Sequence, residues 1–264
     1  MAAVPETIEA PAVLRTDLDG VATLTLNRPQ RFNTLTRETL AQMNSALADI
    51  AVDPAVRVVV IASTGKAFCT GHDMKEMRAH HDETFLSALL ADCSRMMQTV
   101  VGLPQPVIAE VQGIATAAGC QLVASCDLAV AAQSARFATS GINYGLFCAT
   151  PAVALSRTVA RKHALEMLFT GDFIDAETAA RIGLVNHVVE DAELATATRA
   201  LALKIAAKSA YAVRLGKASF YQQANQALDA AYRCASADLV RNILAEDGRE
   251  GLDAFMEKRT PRFS

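Results

Sequence analysis

The chain has 264 residues, of which 52% are hydrophobic and 20% are charged, and its formal net charge is −3. This apolar content is enough to bury the core of one large α/β domain, and it excludes a disordered chain. The slightly acidic balance argues against nucleic acid as a partner, and no apolar run approaches the ~20 residues that cross a bilayer, so we expect a soluble protein without a membrane partner.

Strand and helix patterns alternate in the first part of the chain. VATLTLN (residues 21–27) alternates and is rich in β-branched residues, which predicts a strand. A helical period follows, carried by Leu40, Met43, Leu47 and Ile50. RVVVIASTG (57–65) is a continuous apolar run that ends in a Thr-Gly turn, which is typical of a strand buried on both faces.

The alternation continues through the middle of the chain. Residues 83–101 have a helical pattern that ends at Gly102, and PVIAEVQG (106–113) has the pattern of the next buried strand. The following segments predict a strand, two helices that end in glycine, and a last strand: DLAVAAQ, HALEMLFTG, DAETAARIG and LVNHVVE. Because the pattern becomes helical after Asp191, we predict an α/β core over residues 1–200 and a helical C-terminal region over residues 201–264.

The cysteines and histidines give no sign of a metal site. The six cysteines are scattered without a CxxC pair, and four lie among apolar or small residues. Such surroundings are typical of buried, reduced thiols, so we expect a cytoplasmic protein without disulfides or zinc. His80 and His81 are adjacent, and neighbours on a helix point in different directions, which favours a solvated pair over metal ligands.

Two turns rich in small residues follow two of the predicted strands. KAFCTGHDMKEM (66–77) follows one strand, and GIATAAGCQL (113–122) follows the next. If the strands are neighbours, the turns meet and offer free backbone N–H groups, and the second turn opens a helix. Such an arrangement can act as an oxyanion hole. Alternatively, the small residues only permit close packing of a helix on a strand.

These segments resemble the enoyl-CoA hydratase/isomerase family, the crotonase superfamily, over nearly the whole chain. The resemblance lies in LNRPQRFNTLT, AFCTGHDMKEM, the segment from VQGIATAAGCQL to INYGL, ALEMLFTGDFIDAETAARIGLVNHVV and FMEKRTPRF. It implies a crotonase-like spiral of ββα units with a helical C-terminal trimerisation region, and a homotrimer or a hexamer formed as a dimer of trimers. The implied ligand is an acyl-CoA thioester, in which coenzyme A is part of the substrate and no cofactor is permanently bound.

The resemblance also assigns roles to individual residues. The thioester carbonyl would accept hydrogen bonds from the N–H of His72 and from that of Ala118 or Gly119. Relatives commonly carry glycines where this chain has Ala117 and Ala118, and a positive φ would strain an alanine by roughly 1 kcal/mol. The expected coenzyme A surface consists of Gln30, Arg31, Phe32, Asp73, Met74, Lys75 and Lys258. Asp73 fits a pattern in which an aspartate fixes the loop by accepting backbone N–H bonds.

Well-studied hydratases of this family carry two glutamates, at positions that align with Gln121 and Gly141 of this chain. Hydration needs a base on the water and an acid at the α-carbon of the thioester. Gln121 can hydrogen-bond a water but cannot take its proton, and Gly141 has no side chain. The resemblance therefore implies an acyl-CoA enzyme that stabilises a thioester enolate and hydrates enoyl-CoA inefficiently. Cys120, Cys126 and Asp127 flank the site and are expected to be structural.

Other groups are alternatives for the missing proton transfer. His72 titrates in a useful range, although its side chain can also face solvent or coenzyme A while only its N–H acts. Thr139, Ser140 and Tyr144 can position a water, but they are poor bases unless a neighbour lowers their pKa. Gly141 can form an anion pocket, as in naphthoyl-CoA-synthase relatives that carry glycine there and use bicarbonate as a base.

Two non-catalytic interpretations also remain open at this stage. In one, the chain is a catalytically inactive acyl-CoA-binding or regulatory paralogue that retains the ligand cradle and the trimer. In the other, the fold is retained without acyl-CoA binding or catalysis, which would require the two turns to be distorted.

Overall fold

A mostly parallel sheet forms the centre of the molecule, as the buried apolar runs predict. The computed structural model describes residues 10–263. Its main sheet contains, in spatial order, β1 (Val13–Leu18), β2 (Val21–Leu26), β3 (Val58–Ser63), β5 (Val107–Val111), β7 (Leu128–Ala132) and β10 (His187–Val189). β1 pairs with β2 in antiparallel fashion, and the other neighbours pair parallel.

A second sheet is built from shorter strands that the sequence patterns do not predict. It contains, in spatial order, β4 (Ala67–Cys69), β6 (Ile114–Thr116), β8 (Arg136–Ala138) and β9 (Ile174–Asp175). Each has only two or three residues, which is too short for a period of two to be visible. β4, β6 and β8 each follow a strand of the main sheet within a few residues, so the chain repeats a strand–strand–helix unit.

Eleven helices within the described residues surround the sheets: α1 (Arg37–Ala51), α2 (Met74–Ala79), α3 (Glu83–Gly102), α4 (Ala118–Ser125), α5 (Ala149–Thr158), α6 (Arg161–Thr170), α7 (Ala176–Arg181), α8 (Leu194–Ala206), α9 (Ala210–Gln223), α10 (Leu228–Leu244) and α11 (Glu246–Glu257). Side chains of Thr36 and Asp82 cap the N-termini of α1 and α3, as their positions before an apolar period favour. The helices predicted over residues 40–50 and 83–101 are confirmed.

The main sheet is covered on both faces, which explains the continuous apolar run of β3. Val59 and Ile61 pack into the large core beneath α1, α3 and α4, whereas Val58 and Val60 pack into a smaller cluster that includes side chains of α8. The boundary predicted at residue 200 falls inside α8, which packs on the sheet. Across residues 10–263, no helix is both long enough and apolar enough to cross a bilayer.

A buried ionic network joins the C-terminal helices to the core. The Lys217 ammonium on α9 donates to the Asp127 carboxylate at 2.7 Å and to the carbonyl oxygens of Val100 and Gln105. The Tyr221 hydroxyl donates to the same carboxylate at 2.9 Å. Burial lowers the pKa of Lys217, and the charge of Asp127 opposes that shift. Asp127 is therefore a structural residue, as predicted.

We expect Lys217→Met to lower the free energy of unfolding by about 3 kcal/mol, because it leaves the buried Asp127 carboxylate without its counter-charge. Urea denaturation followed by circular dichroism measures the change. Tyr221→Phe is the matched variant, since it removes one neutral donor to the same carboxylate and should cost about 1 kcal/mol. Equal, small losses in both variants would contradict an ionic anchor.

Candidate functional site

The loop that follows β2 is fastened to the turn that follows β4. Leu35 N–H donates to the Gly71 carbonyl at 2.8 Å, and Thr70 N–H donates to the Phe32 carbonyl at 3.2 Å. The Thr34 hydroxyl donates to the Asp73 carboxylate at 3.2 Å. Because β2 and β3 are parallel neighbours, their carboxyl ends lie at one edge of the sheet. The two segments therefore form one surface.

Asn33 holds this loop in place, and sequence reasoning missed it. Its side-chain amide donates to the Thr64 and Ala67 carbonyls at 2.8 Å, and its side-chain oxygen accepts from Arg28 N–H. Its φ is +54°, a left-handed conformation that asparagine tolerates better than most residues. The signal available in the sequence was an asparagine in a polar turn between a strand and a helix.

The two small-residue turns are in contact, as predicted from the adjacency of their strands. β3 pairs with β5 and β4 pairs with β6, so the turns lie at the same edge. A Cβ placed on Gly71 would lie 2.9 Å from the Ala117 methyl and 3.1 Å from the Ala118 nitrogen. A Cβ placed on Gly119 would lie 2.0 Å from the Cys69 carbonyl oxygen. Only glycine permits this approach at either position.

Backbone donors remain free where the turns meet. The N–H groups of Ala118 and Gly119 belong to the first turn of α4, where no intrahelical acceptor exists, and the first such bond runs from Gln121 N–H to the Ala117 carbonyl. The N–H of His72 also has no backbone acceptor among residues 10–263. The start of α4 carries a partial positive charge. This arrangement can hold an oxygen atom that develops negative charge.

Backbone strain falls on one of the two alanines in the second turn. Ala117 has φ +50° and ψ −120°, a conformation that favours glycine, whereas Ala118 begins α4. Such a conformation costs about 1–3 kcal/mol in a residue with a side chain. The Ala117 N–H donates to the Ala138 carbonyl at 3.1 Å, which helps to hold the turn. The predicted strain is therefore present at Ala117 alone.

Gln121 presents a buried amide without partners. The residue is only 4% exposed, and its side-chain Oε1 is shielded from solvent without a hydrogen-bond partner within the described residues. It lies one helical turn after Ala117, on the same side of α4. A buried polar group of this kind requires a ligand or a water as its partner.

Gly141 has no space for a side chain. It lies in a short 3-10 segment, Ser140–Tyr144, and a Cβ there would lie 2.6 Å from the Leu146 carbonyl oxygen and 2.9 Å from Cys148 Sγ. The anion pocket that the sequence suggests at Gly141 stays a prediction, although the Leu146 carbonyl oxygen occupies the position that a Cβ would take.

The neighbouring hydroxyl groups are poorly placed to act as bases. The Thr139 hydroxyl donates to the Met167 carbonyl at 2.7 Å, and Tyr144 is 78% exposed. The Ser140 and Thr116 hydroxyls lie 2.8 Å apart and hydrogen-bond to each other. Thr116 was not singled out from the sequence, and only the pairing of β6 with β8 reveals its contact.

The His72 side chain is half-buried. Its Nδ1 lies 3.4 Å from the Leu35 carbonyl oxygen, and its Nε2 is shielded from solvent without a partner in residues 10–263. Burial lowers the pKa of His72. By contrast, His80 and His81 are exposed, and His80 stacks on Phe85. No cluster of metal-ligating side chains occurs in the described part of the chain.

Most of the predicted coenzyme A surface lies on the joined loops. Gln30 and Arg31 are in a 3-10 turn, and Phe32 follows with its ring exposed. The Asp73 carboxylate accepts from Lys75 N–H and Glu76 N–H, so its predicted role in fixing the loop is confirmed.

Two further residues of the predicted surface differ in their placement. Met74, in the first turn of α2, is exposed. Lys258 is the C-cap residue of α11 and has a left-handed backbone conformation.

Comparisons with known proteins identify relatives over nearly the whole chain. A sequence model described as enoyl-CoA hydratase/isomerase matches residues 16–264. The mitochondrial enoyl-CoA hydratase domain-containing protein 3 of Xenopus laevis is 46% identical over 242 residues, which cover 92% of this chain and 82% of that protein. Its name and those of its rat, mouse and human counterparts contradict the cytoplasmic location predicted from the sequence.

Solved structures match equally well. The crystal structure of an enoyl-CoA hydratase from Mycobacterium smegmatis is 51% identical and has a TM-score of 0.95, with 96% of this chain and 99% of that chain covered. The crystal structure of human enoyl coenzyme A hydratase domain-containing protein 3 is 44% identical and has a TM-score of 0.93, with 96% and 100% covered.

Ala117→Gly should raise the free energy of unfolding by about 1 kcal/mol, because glycine adopts this φ without strain. Ala118→Gly is the matched variant, since it removes a methyl group from the next residue. It should lower that free energy by about 1 kcal/mol, because Ala118 is helical. Urea denaturation of both variants measures the difference. An equal decrease in the free energy of unfolding in both variants would show that Ala117 is unstrained.

Proposed function

Because this chain belongs to the enoyl-CoA hydratase/isomerase family and has its crotonase-like α/β fold, we propose that it binds an acyl-CoA thioester and stabilises the enolate. The observation that carries the proposal is the contact between the turns at Gly71 and Ala117–Ala118. It brings two segments with free N–H groups to one point. Such donors stabilise the oxyanion of an enolate without reorganising during the reaction.

The donors in this proposal are the N–H groups of His72 and Ala118. Ala118 is preferred to Gly119 because its nitrogen lies nearer the first turn, 3.1 Å from the position of a Cβ on Gly71. The partial positive charge at the start of α4 adds to the effect. A thioester carbonyl bound here gains hydrogen-bond strength as charge develops on its oxygen, which lowers the barrier to enolate formation.

The proposed chemistry is enolate formation with inefficient hydration of enoyl-CoA. By family resemblance, Gln121 and Gly141 occupy the positions of the two glutamates of well-studied hydratases. The amide of Gln121 cannot accept a proton, and the packing around Gly141 leaves no room for a carboxylate. Each missing proton-transfer group reduces the rate by about 10²–10⁴-fold. A catalytically inactive acyl-CoA-binding protein is the alternative, and it predicts binding without any turnover.

The proposed coenzyme A anchor uses the exposed cations of the joined loops. Arg31 and Lys75 lie on the two segments that the Leu35–Gly71 hydrogen bond connects, and both are exposed. Phe32, also exposed, offers a ring on which an adenine base can stack. The phosphates of coenzyme A would pair with these cations across partly exposed space, where salt screens the attraction.

Wild-type protein should bind butyryl-CoA in isothermal titration calorimetry and hydrate crotonyl-CoA slowly. Arg31→Ala and Lys75→Ala should each weaken binding about three- to tenfold at low salt and less at high salt, because screening already weakens the wild-type attraction. Lys162→Ala, on the exposed face of α6, is the matched control and should bind normally. If both test variants bind butyryl-CoA with unchanged affinity at low salt, the proposed coenzyme A anchor is wrong.

We also propose that the chain assembles as a homotrimer through its C-terminal helices. In the single chain, Phe220 on α9 and Leu228 on α10 are 62% and 74% exposed. They are accompanied by other exposed apolar side chains on α10 and α11: Tyr232, Leu239, Val240, Leu244, Leu252, Phe255 and Met256. Apolar surface of this extent on soluble proteins marks an interaction site.

Light scattering on the protein at micromolar concentration should give the mass of a trimer or of a dimer of trimers. Phe255→Asp should lower that mass, because it buries a charge in the proposed interface. Val52→Asp is the matched control, since Val52 is equally exposed but lies at the end of α1. A monomeric wild-type protein would contradict the proposed assembly.

A further inference from the structure

We propose that the substrate of this site is an acyl-CoA thioester with a second carboxylate on its α-carbon, and that the enolate forms when this carboxylate leaves as carbon dioxide. The inference deepens the proposed function and rests on it, since the backbone donors must first hold the thioester carbonyl. It names the substrate class, a malonyl-type thioester, and the reaction, a decarboxylation in which no protein group removes a proton from the α-carbon.

The polar side chains around the meeting point of the turns are poor proton acceptors. The Gln121 amide does not take a proton. The Thr116 and Ser140 hydroxyls lie 2.8 Å apart and hydrogen-bond to each other. The Thr139 hydroxyl donates to the Met167 carbonyl oxygen at 2.7 Å. A hydroxyl group becomes a base only when a neighbouring group lowers its pKa, and none of these contacts does so.

The thiols and the imidazole near the turns are no better suited. Burial raises the pKa of the Cys69 and Cys120 thiols to about 12, so both stay protonated at neutral pH. The Nε2 of His72 is shielded from solvent in the single chain. The side chains of the described residues therefore supply backbone-held positions for an oxyanion without an open base beside them.

A site of this kind favours a reaction that delivers an electron pair to the α-carbon without deprotonation. An enolate forms either when a base takes the α-proton or when a bond from the α-carbon to another carbon breaks. Loss of carbon dioxide from an α-carboxylate is the second kind of reaction, and the only stabilisation that it needs is for the negative charge on the thioester oxygen. The free N–H groups at the turns provide that stabilisation.

The charge around the turns is compatible with a second carboxylate on the substrate. Residues 66–72, 113–125 and 128–165 contain no aspartate or glutamate. Asp73, next to the first turn, accepts hydrogen bonds from the Thr34 hydroxyl and from the N–H groups of Lys75 and Glu76. The start of α4 adds a partial positive charge. An anionic substituent on the α-carbon therefore meets no acidic side chain from these segments.

Gln121 is the residue at which this difference in charge is most direct. By family resemblance it stands where well-studied hydratases carry a glutamate. It is only 4% exposed, and its Oε1 has no partner within residues 10–263. Cα–Cβ bonds in a helix tilt toward its N-terminus, so this side chain leaves α4 in the direction of the Ala117–Ala118 turn. A neutral amide there tolerates a substrate carboxylate, whereas a glutamate would repel it.

The step balances with water as the only further reactant. The bond between the α-carbon and the carboxylate carbon breaks, and its electron pair becomes the enolate double bond. The negative charge moves from the carboxylate to the thioester oxygen, and carbon dioxide leaves. Water then donates a proton to the α-carbon, and the thioester carbonyl forms again. The negative charge thus moves toward the backbone N–H groups during the reaction, which makes their hydrogen bonds stronger in the transition state than in the ground state.

Ethylmalonyl-CoA labelled with ¹³C in its free carboxylate tests the proposal, because its product is butyryl-CoA, the ligand of the binding assay. Wild-type protein should release labelled carbon dioxide, measured by mass spectrometry. The kcat/KM of this reaction should exceed that of crotonyl-CoA hydration by about 10²-fold or more, since hydration lacks its proton-transfer groups. In D₂O, butyryl-CoA with the protein should gain no deuterium at its α-carbon beyond a sample without protein.

Gln121→Glu tests the charge requirement with almost no change in shape. It should lower kcat/KM for ethylmalonyl-CoA about tenfold or more and change butyryl-CoA affinity within about threefold, because only the first ligand carries a second carboxylate. The difference should grow with rising pH, since burial raises the pKa of a carboxyl group and ionisation creates the repulsion. Gln98→Glu, at an exposed position on α3, is the matched control and should behave as wild type.

The outcomes separate this inference from the proposed function. Binding of butyryl-CoA without release of carbon dioxide from ethylmalonyl-CoA would overturn the decarboxylation and leave acyl-CoA binding in place. Deuterium exchange into butyryl-CoA as fast as decarboxylation would also overturn it, because it would reveal a base in the site. Equal effects of Gln121→Glu on both ligands would contradict a carboxylate beside Gln121. Absence of butyryl-CoA binding would overturn the proposed function as well.

Discussion

The close approach of two backbone turns is the constraint on which the candidate site depends. Parallel pairing of β3 with β5 and of β4 with β6 brings the turns to one edge of the sheet. The absence of side chains at Gly71 and Gly119 then lets the backbones touch, since a Cβ at Gly119 would lie 2.0 Å from the Cys69 carbonyl oxygen. Backbone N–H groups become a binding feature only because the sheet and these glycines leave them free and close together.

The sequence predicts the large elements of this arrangement well, because their signals extend over many residues. The buried run of β3 and the helical period of α3 are examples, and the meeting of the two turns follows from the adjacency of the strands before them. β4 and β6 were missed because three residues carry no period. They are formed by pairing with strands distant in the chain, which no local pattern records.

The details of the site depend on tertiary contacts that the sequence does not display. The sequence has alanine at two successive positions, and this does not reveal that Ala117 has φ +50° whereas Ala118 is helical. The same holds for His72, whose Nδ1 lies 3.4 Å from the carbonyl oxygen of Leu35, 37 residues earlier in the chain. The family resemblance located both positions, but only the structure distinguishes a strained alanine from a relaxed one and a half-buried ring from a solvated one.

The polar side chains of the scaffold have hydrogen-bond partners, whereas some buried polar atoms of the candidate site have none. The Asp127 carboxylate accepts hydrogen bonds from three donors, the Val107 N–H, the Lys217 ammonium and the Tyr221 hydroxyl, and the last two bonds fix α9 to the core. The Oε1 of Gln121 and the Nε2 of His72, in contrast, lack partners within residues 10–263. Proteins rarely leave such groups unpaired, because an unsatisfied buried acceptor costs about 1–3 kcal/mol. The proposed ligand would complete the structure at this place, where an unpaired side-chain oxygen follows free backbone donors. At Gly141, by contrast, the protein itself fills the space with the Leu146 carbonyl and Cys148, so the segment over residues 140–148 has a shape that excludes a carboxylate. In the function proposed above, the chemistry of this site therefore comes from the two turns, since a carboxylate at position 141 would require that segment to move.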